Sequence, residues 1–226
     1  MREEHMNDNN RKDDELEVMD LNDFGEPEAE KDEDKEPKNT RKKDEKSETV
    51  TNVKKEVLSW VMTFAIAFVL AFVLKNYVII NASVPTGSMQ NTIQPKDKLF
   101  GFRLAYLKEG PERGDIIFFY YPDDESQKYV KRVIGLPGEK VTIREGKVYI
   151  NDSETPLDEP YLKEEWVRGT GPYEFIVPED GYFCMGDNRN GSHDARYWVN
   201  TYVMRDKIIG EALYIYYPFE HMGTLE

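Results

Sequence analysis

The sequence predicts a mostly-β domain carried behind one N-terminal membrane-spanning helix. Three observations lead there. From Val57 to Leu74 there are 18 consecutive residues without a charge. Beyond them, short apolar segments recur between Pro, Gly and Asp with little helical periodicity. Ahead of them lies a polar, strongly acidic stretch. The expected organisation is a disordered acidic tail over 1–56, an anchor helix over 57–76, and a β domain over 77–226 with a small insertion around 140–180.

The tail holds 12 Lys/Arg against 20 Asp/Glu, a net of −8, and almost no apolar residues. That is too little burial to offset the entropy of ordering, so it is expected to stay unstructured. The whole chain of 226 residues carries −14, which excludes a nucleic-acid binder because no basic face could neutralise phosphates.

The apolar run, with Tyr77 to Ile80 following, is long enough to cross a hydrocarbon core of about 30 Å as a helix. It exceeds the apolar core of a cleavable leader, and no small-x-small pair follows it. It therefore reads as a retained anchor. Arg41, Lys42, Lys43, Lys46, Lys54 and Lys55 precede it, whereas the first basic residues after Lys75 are Lys96 and Lys98. The positive-inside bias puts the tail in the cytoplasm and the β domain outside.

Strands are expected at 77–84, 98–102, 115–121, 128–134, 140–144, 147–150, 173–177, 182–185 and 208–217, with short helices only after Ser88 or around Leu104 to Leu107. Arg144-Glu145-Gly146-Lys147 reads as a hairpin turn. The single cysteine, Cys184, excludes an internal disulfide and a cysteine-based zinc site, and its neighbours Tyr182, Phe183 and Met185 make it a buried strand thiol.

Val84-Pro85-Thr86-Gly87-Ser88-Met89 sets one serine on a proline-punctuated segment just past the anchor. Serine is a poor nucleophile until a base takes its proton. A candidate base stands 43 positions later at Lys131, in Tyr129-Val130-Lys131-Arg132-Val133-Ile134-Gly135-Leu136-Pro137-Gly138-Glu139, a cationic pair inside an apolar strand. Lysine can act as a base only when neutral, which desolvation by Tyr129, Val130, Val133 and Ile134 favours. Arg132 cannot serve, because a guanidinium stays protonated. A further loop, Gly186-Asp187-Asn188-Arg189-Asn190-Gly191-Ser192-His193-Asp194-Ala195-Arg196-Tyr197-Trp198, packs charges, glycines and a serine between apolar strands, the composition of a loop that holds something in place.

Anchor, Ser88-Met89, Arg113-Gly114-Asp115, the Lys131-Arg132 box ending at Glu139, Gly186-Asp187-Asn188-Arg189 and Ser192-x-Asp194-x-Arg196-Tyr197-Trp198, in this order, resemble the bacterial type I signal peptidases from Val57 to about Tyr217. The resemblance implies an extracytoplasmic antiparallel β-sheet peptidase domain of the signal peptidase and LexA-like kind. It implies a membrane-bound serine endopeptidase that removes signal peptides from secretory preproteins after small residues at −1 and −3. Ser88 is then the nucleophile and Lys131 the general base. Thr86, with the Ser88 N–H, holds the oxyanion, and Ser192 orients the lysine. Arg132 with Asp187, and Asp194 with Arg196, are implied structural charge pairs. Substrate would add as a strand along Ala82 to Pro85 and Lys128 to Val130, with Val84, Pro85, Met89, Ile93, Tyr129 and Val130 shaping shallow pockets. No metal or organic cofactor is implied. The expected partners are preproteins, membrane lipid and the Sec translocation machinery.

The sequence departs from the family's common pattern at Asn190-Gly191, His193 and Ala195. His193-Asp194 admits a Ser-His-Asp alternative, although neighbours on an extended chain point to opposite sides. Only 46 residues separate Glu139 from Gly186, which suits a compact member of Gram-positive type in the cell membrane. Two other readings stay open: a processing enzyme with a dedicated precursor, and a catalytically silent peptide-binding scaffold. Cleavage breadth separates the first, and the intact Ser88, Lys131, Thr86 and Ser192 set argues against the second.

Overall fold

The computed structural model of the chain describes residues 19–20 and 47–225, with side chains from residue 54 onward. The remainder of the tail expected to be disordered lies outside the described residues.

The helical unit consists of α1 (Ser47–Val73), continued by a wide π-type turn at Leu74–Val78. An 18-residue stretch within Lys54–Val78 has mean hydropathy 2.6 and none of its residues is buried, so its length and composition suit a bilayer span. The helix begins ten residues before Val57, inside the stretch expected to be disordered. No Gly or Pro occurs between Pro37 and Pro85. Once the apolar run nucleates a helix, nothing stops it from propagating back through Lys55 and Lys54.

The β unit contains β1 (Met19–Asp20), β2 (Ile79–Ser83), β3 (Lys98–Phe102), β4 (Ile116–Tyr121), β5 (Asp124–Gly135), β6 (Lys140–Arg144), β7 (Lys147–Ile150), β8 (Tyr173–Ile176), β9 (Gly181–Met185), β10 (Val203–Met204), β11 (Ile208–Tyr217) and β12 (Gly223–Thr224). The main sheet runs β1-β2-β3-β11-β4-β5-β9-β10, with β12 on β11, and a second sheet runs β7-β6-β8. Every pairing is antiparallel. All nine expected strands form. Tyr77 and Val78 instead belong to the π-type turn, and β5 starts four residues early because Tyr121 pairs with Asp124 in a tight hairpin.

The expected short helices are absent. Ile93 N donates to Met89 O at 2.8 Å, but Asn91 sits at φ 107°, outside the helical region, so the segment after Ser88 closes one turn and goes no further. Residues 104–107 are also turn. The Glu145-Gly146 hairpin has φ 51° and 69°, the paired positive angles of a type I′ turn, for which glycine at the second position is well suited.

Alternation along the strands sorts side chains to two faces. Ile117, Phe119, Tyr129 and Val133 join Phe183, Met185, Trp198 and the second sheet in one core, whereas Ile116, Phe118 and Val130 join Ile80, Val84, Met89, Ile93 and Leu99 in another. A register shift between Val133 and Gly135 sends Ile134 to the first core as well. β5 thus separates the cores, and both Lys131 and Arg132 sit deep inside it.

Candidate active site

Pro85 and Pro95 bracket the segment that carries Ser88, and its ends are pinned: Val84 N donates to Asp97 O and Lys96 N to Val84 O. From the other side, Asn188 N donates to Ser88 O at 3.0 Å and Asn188 Nδ2 to Gly87 O at 2.9 Å. Ser88 is thereby buried at 4% exposure, facing β5.

Lys131, at 3% exposure, pairs in register with Ile117 of β4 and donates from Nζ to Ser88 Oγ at 2.6 Å. Its Nζ also lies 5.4 Å from the Tyr129 ring centroid, over the aromatic face. Thr86 Oγ1 is 3.5 Å from Ser88 Oγ. Ser192 Oγ is buried with no hydrogen-bond partner among the described residues. It packs where a Cβ on Gly186 would stand, 2.3 Å from that position, and Ser88 O lies 2.4 Å from the same point. A side chain at position 186 would push apart the two segments that meet there.

Charge pairs frame this arrangement. Arg132 donates to Asp187 from Nε and Nη2 at 3.0 and 2.9 Å, to Gly114 O at 2.7 Å, and stacks over Tyr161 at 4.0 Å. Thr92 donates its hydroxyl to the same Asp187. Asp194, fully buried, accepts from Arg196 and from Gly186 N. Burial opposes its ionisation, yet Arg196 and the Gly186 N–H outweigh that and hold its carboxyl below the usual range. Glu139 accepts both guanidinium nitrogens of Arg113 and Leu136 N, joining the Arg-Gly-Asp turn to the end of β5.

Four sequence boxes that stand apart in the chain therefore converge on one serine. A family model described as signal peptidase, peptidase S26, matches residues 57–217. The chain belongs to this family. It is 36% identical over 157 residues to a probable signal peptidase I-2 of Synechocystis, covering 67% of this chain and 69% of the relative. Against a signal peptidase I of Leptolyngbya laminosa the figures are 36% over 159 residues, 67% and 75%. Against signal peptidase I U of Bacillus subtilis they are 37% over 143 residues, 60% and 74%. A solved signal peptidase I from Enterococcus faecalis is 34% identical, with a TM-score of 0.39, covering 46% of this chain and 97% of that one.

The remaining residues singled out in this signal peptidase sequence divide by face. Val84, Met89, Ile93 and Val130 lie together in one core, and Pro85 is exposed beside them. Tyr129 does not join them. It lies in the opposite core, stacked on Tyr121 at 4.4 Å. Alternation along β5 accounts for the separation, since neighbours cannot face one pocket. His193 is exposed and stacks against Tyr197, away from Asp194, whose carboxylate is taken by Arg196. Cys184 is buried, and desolvation, reinforced by Asp194, pushes its thiol up, which makes it inert as a nucleophile.

Several contributors carried no individual role in the sequence. Asn188 fixes both carbonyls flanking the serine, Thr92 supports Asp187, and Glu159 holds Arg189 by two bonds. Asn188 and Arg189 lie in a visible box, so their importance had a signal. Thr92 and Glu159 had none.

Proposed function

We propose that this chain is a membrane-anchored signal peptidase in which Ser88 attacks the scissile carbonyl and Lys131 is the general base. The observation that carries the reading is the buried 2.6 Å contact between Lys131 Nζ and Ser88 Oγ. As a neutral amine, Lys131 accepts the hydroxyl proton while Oγ forms its bond to the carbonyl carbon. The Ser88 N–H and the Thr86 hydroxyl stabilise the resulting oxyanion. The lysine ammonium then gives its proton to the departing amine nitrogen, leaving an ester on Ser88. In the second half, Lys131 takes a proton from water, the hydroxide attacks the ester, and Ser88 recovers its proton. The Ser192 hydroxyl, buried without a partner among the described residues, is the acceptor we assign to the ammonium form.

The substrate adds as a strand along the edge of β2 that faces away from β3, with its small side chains toward Val84, Met89, Ile93 and Val130. In the described structure β1 occupies two positions of that edge, Met19 opposite Ser83 and Asp20 opposite Ala82. A single crossing at the apolar run, with the basic residues 41–55 in the cytoplasm, puts residues 19–20 on the other side of the bilayer. In the inserted protein the edge is then open to precursors delivered by the Sec machinery. The compact span between Glu139 and Gly186 fits a Gram-positive cell membrane.

The test is cleavage of one precursor by protein reconstituted in lipid, with alanine or leucine at −1. Processing of the alanine form alone supports the reading. Equal processing of both would contradict the shallow-pocket account, and no processing of either would favour a scaffold.

A further inference from the structure

Residues 159–168 form a strap with no regular secondary structure, yet it is firmly held. Asn91 Nδ2 donates to Tyr161 O at 3.1 Å and Lys163 Nζ to Gln90 Oε1 at 2.9 Å. Asn190 Oδ1 accepts from Val167 N and Arg168 N, and Asn190 Nδ2 donates to Glu164 Oε1 and Glu165 O. Trp166 is buried, with the guanidiniums of Arg189 and Arg196 at 4.9 and 5.1 Å from its ring. Such fixation is what a binding wall requires, since a mobile wall would lose affinity to ordering.

Between this strap and the loop after Gly186 lies an open polar cavity of about 470 Å³, walled by Lys163, Glu165, Val167, Arg168, Asn188 and Gly191 among others. Its size falls in the range of about 300–1,000 Å³ usual for ligand sites. Asn188 is shared: it lines the cavity and grips the carbonyls of Gly87 and Ser88. A Cβ on Gly191 would come within 2.8 Å of Asn188 Nδ2, so a side chain there would crowd the residue that forms this wall.

We infer that this cavity seats the first residues of the mature chain, the part of a precursor beyond the scissile bond. The inference rests on the signal peptidase reading and extends it to the leaving side of the site. A peptide laid along β2 reaches Ser88 with its signal half, and its other half must continue past the serine, where Asn188 and the strap stand. The cavity wall carries two bases, Lys163 and Arg168, and two acids, Glu164 and Glu165, so the charge nearest the serine sets the preference. Lys163 is tied to Gln90, two residues from Ser88, whereas Glu164 is engaged by Asn190 farther along the wall. Acidic side chains at the first three mature positions are favoured over basic ones.

The experiment uses the full-chain protein in lipid vesicles and precursors that share one signal peptide and differ only at mature positions one to three, carrying Asp, Ala or Lys. Wild type should show kcat/KM for Asp over Lys raised about three- to five-fold, the scale of an exposed ion pair. Lys163→Gln should flatten that ratio and Lys163→Glu invert it, while discrimination between Ala and Leu at −1 stays as in wild type. An unchanged ratio in Lys163→Glu, or an equal fall for every precursor, would overturn the inference. No cleavage of any precursor by wild type would sink the signal peptidase reading and this inference with it.

Discussion

Lys131 Nζ stands 2.6 Å from Ser88 Oγ although the two lie 43 positions apart in the chain, and both side chains are shut off from solvent. The contact is built from two sides: β4 fixes Lys131 through the Ile117 register, and Asn188 fixes the Ser88 carbonyl. An alternative base would have to displace this lysine. His193→Ala should therefore retain most of the cleavage rate, measured as kcat/KM on an A-x-A precursor. Near-total loss would reassign the base.

Thr86 Oγ1 lies 3.5 Å from Ser88 Oγ in the resting site, and its bond to the oxyanion forms only as charge develops on the substrate. Thr86→Val should lower kcat by about a hundred-fold or more with little change in KM, and Thr86→Ser should restore it. A rise in KM alone would show a packing role instead.

The Arg132–Asp187 pair has side-chain exposures of 2% and 0%. Removing one partner strands the other charge, so Asp187→Ala should cost about 3–5 kcal/mol in denaturant unfolding. The pair Arg132→Met with Asp187→Leu should recover part of that loss. A cost below about 1 kcal/mol for the single change would mean that water or Thr92 compensates Arg132.

Asp194 sets an acid limit. Its folded carboxyl is held below its unfolded value, so its stabilisation is present above the unfolded pKa of about 3.9 and is lost as pH falls through the folded one. Stability at pH 7 should exceed that at pH 3. Asp194→Asn should lose stability at neutral pH and flatten this part of the profile, as read by thermal unfolding across that range. A parallel drop at every pH would assign Asp194 a packing role only.

The sequence carried the parts whose signal is local. Lys131 is legible because a lone cationic pair interrupts an apolar strand, and nine strands are legible because short apolar runs such as Ile116–Tyr121 stand between Pro, Gly and Asp. Asp124 to Gln127 extend β5 without any such signal, since the stretch is polar and largely exposed. The early start of α1 at Ser47 comes from propagation of a nucleated helix into polar sequence. The strap was invisible for another reason. Glu159 finds Arg189 30 residues away, and Tyr161 lies over Arg132 across the fold. Such tertiary ties leave no periodicity to read. Tyr129 and Val130 were read together as pocket residues, yet alternation along β5 turns them to opposite faces, with Tyr129 beside the Lys131 ammonium.

The most direct test of the Ser-Lys assignment is cleavage of an A-x-A precursor by wild type, Ser88→Ala and Lys131→Ala in lipid, side by side, with folding of each checked by circular dichroism. The account predicts correct processing by wild type alone. Substantial cleavage by folded Lys131→Ala or Ser88→Ala would contradict it.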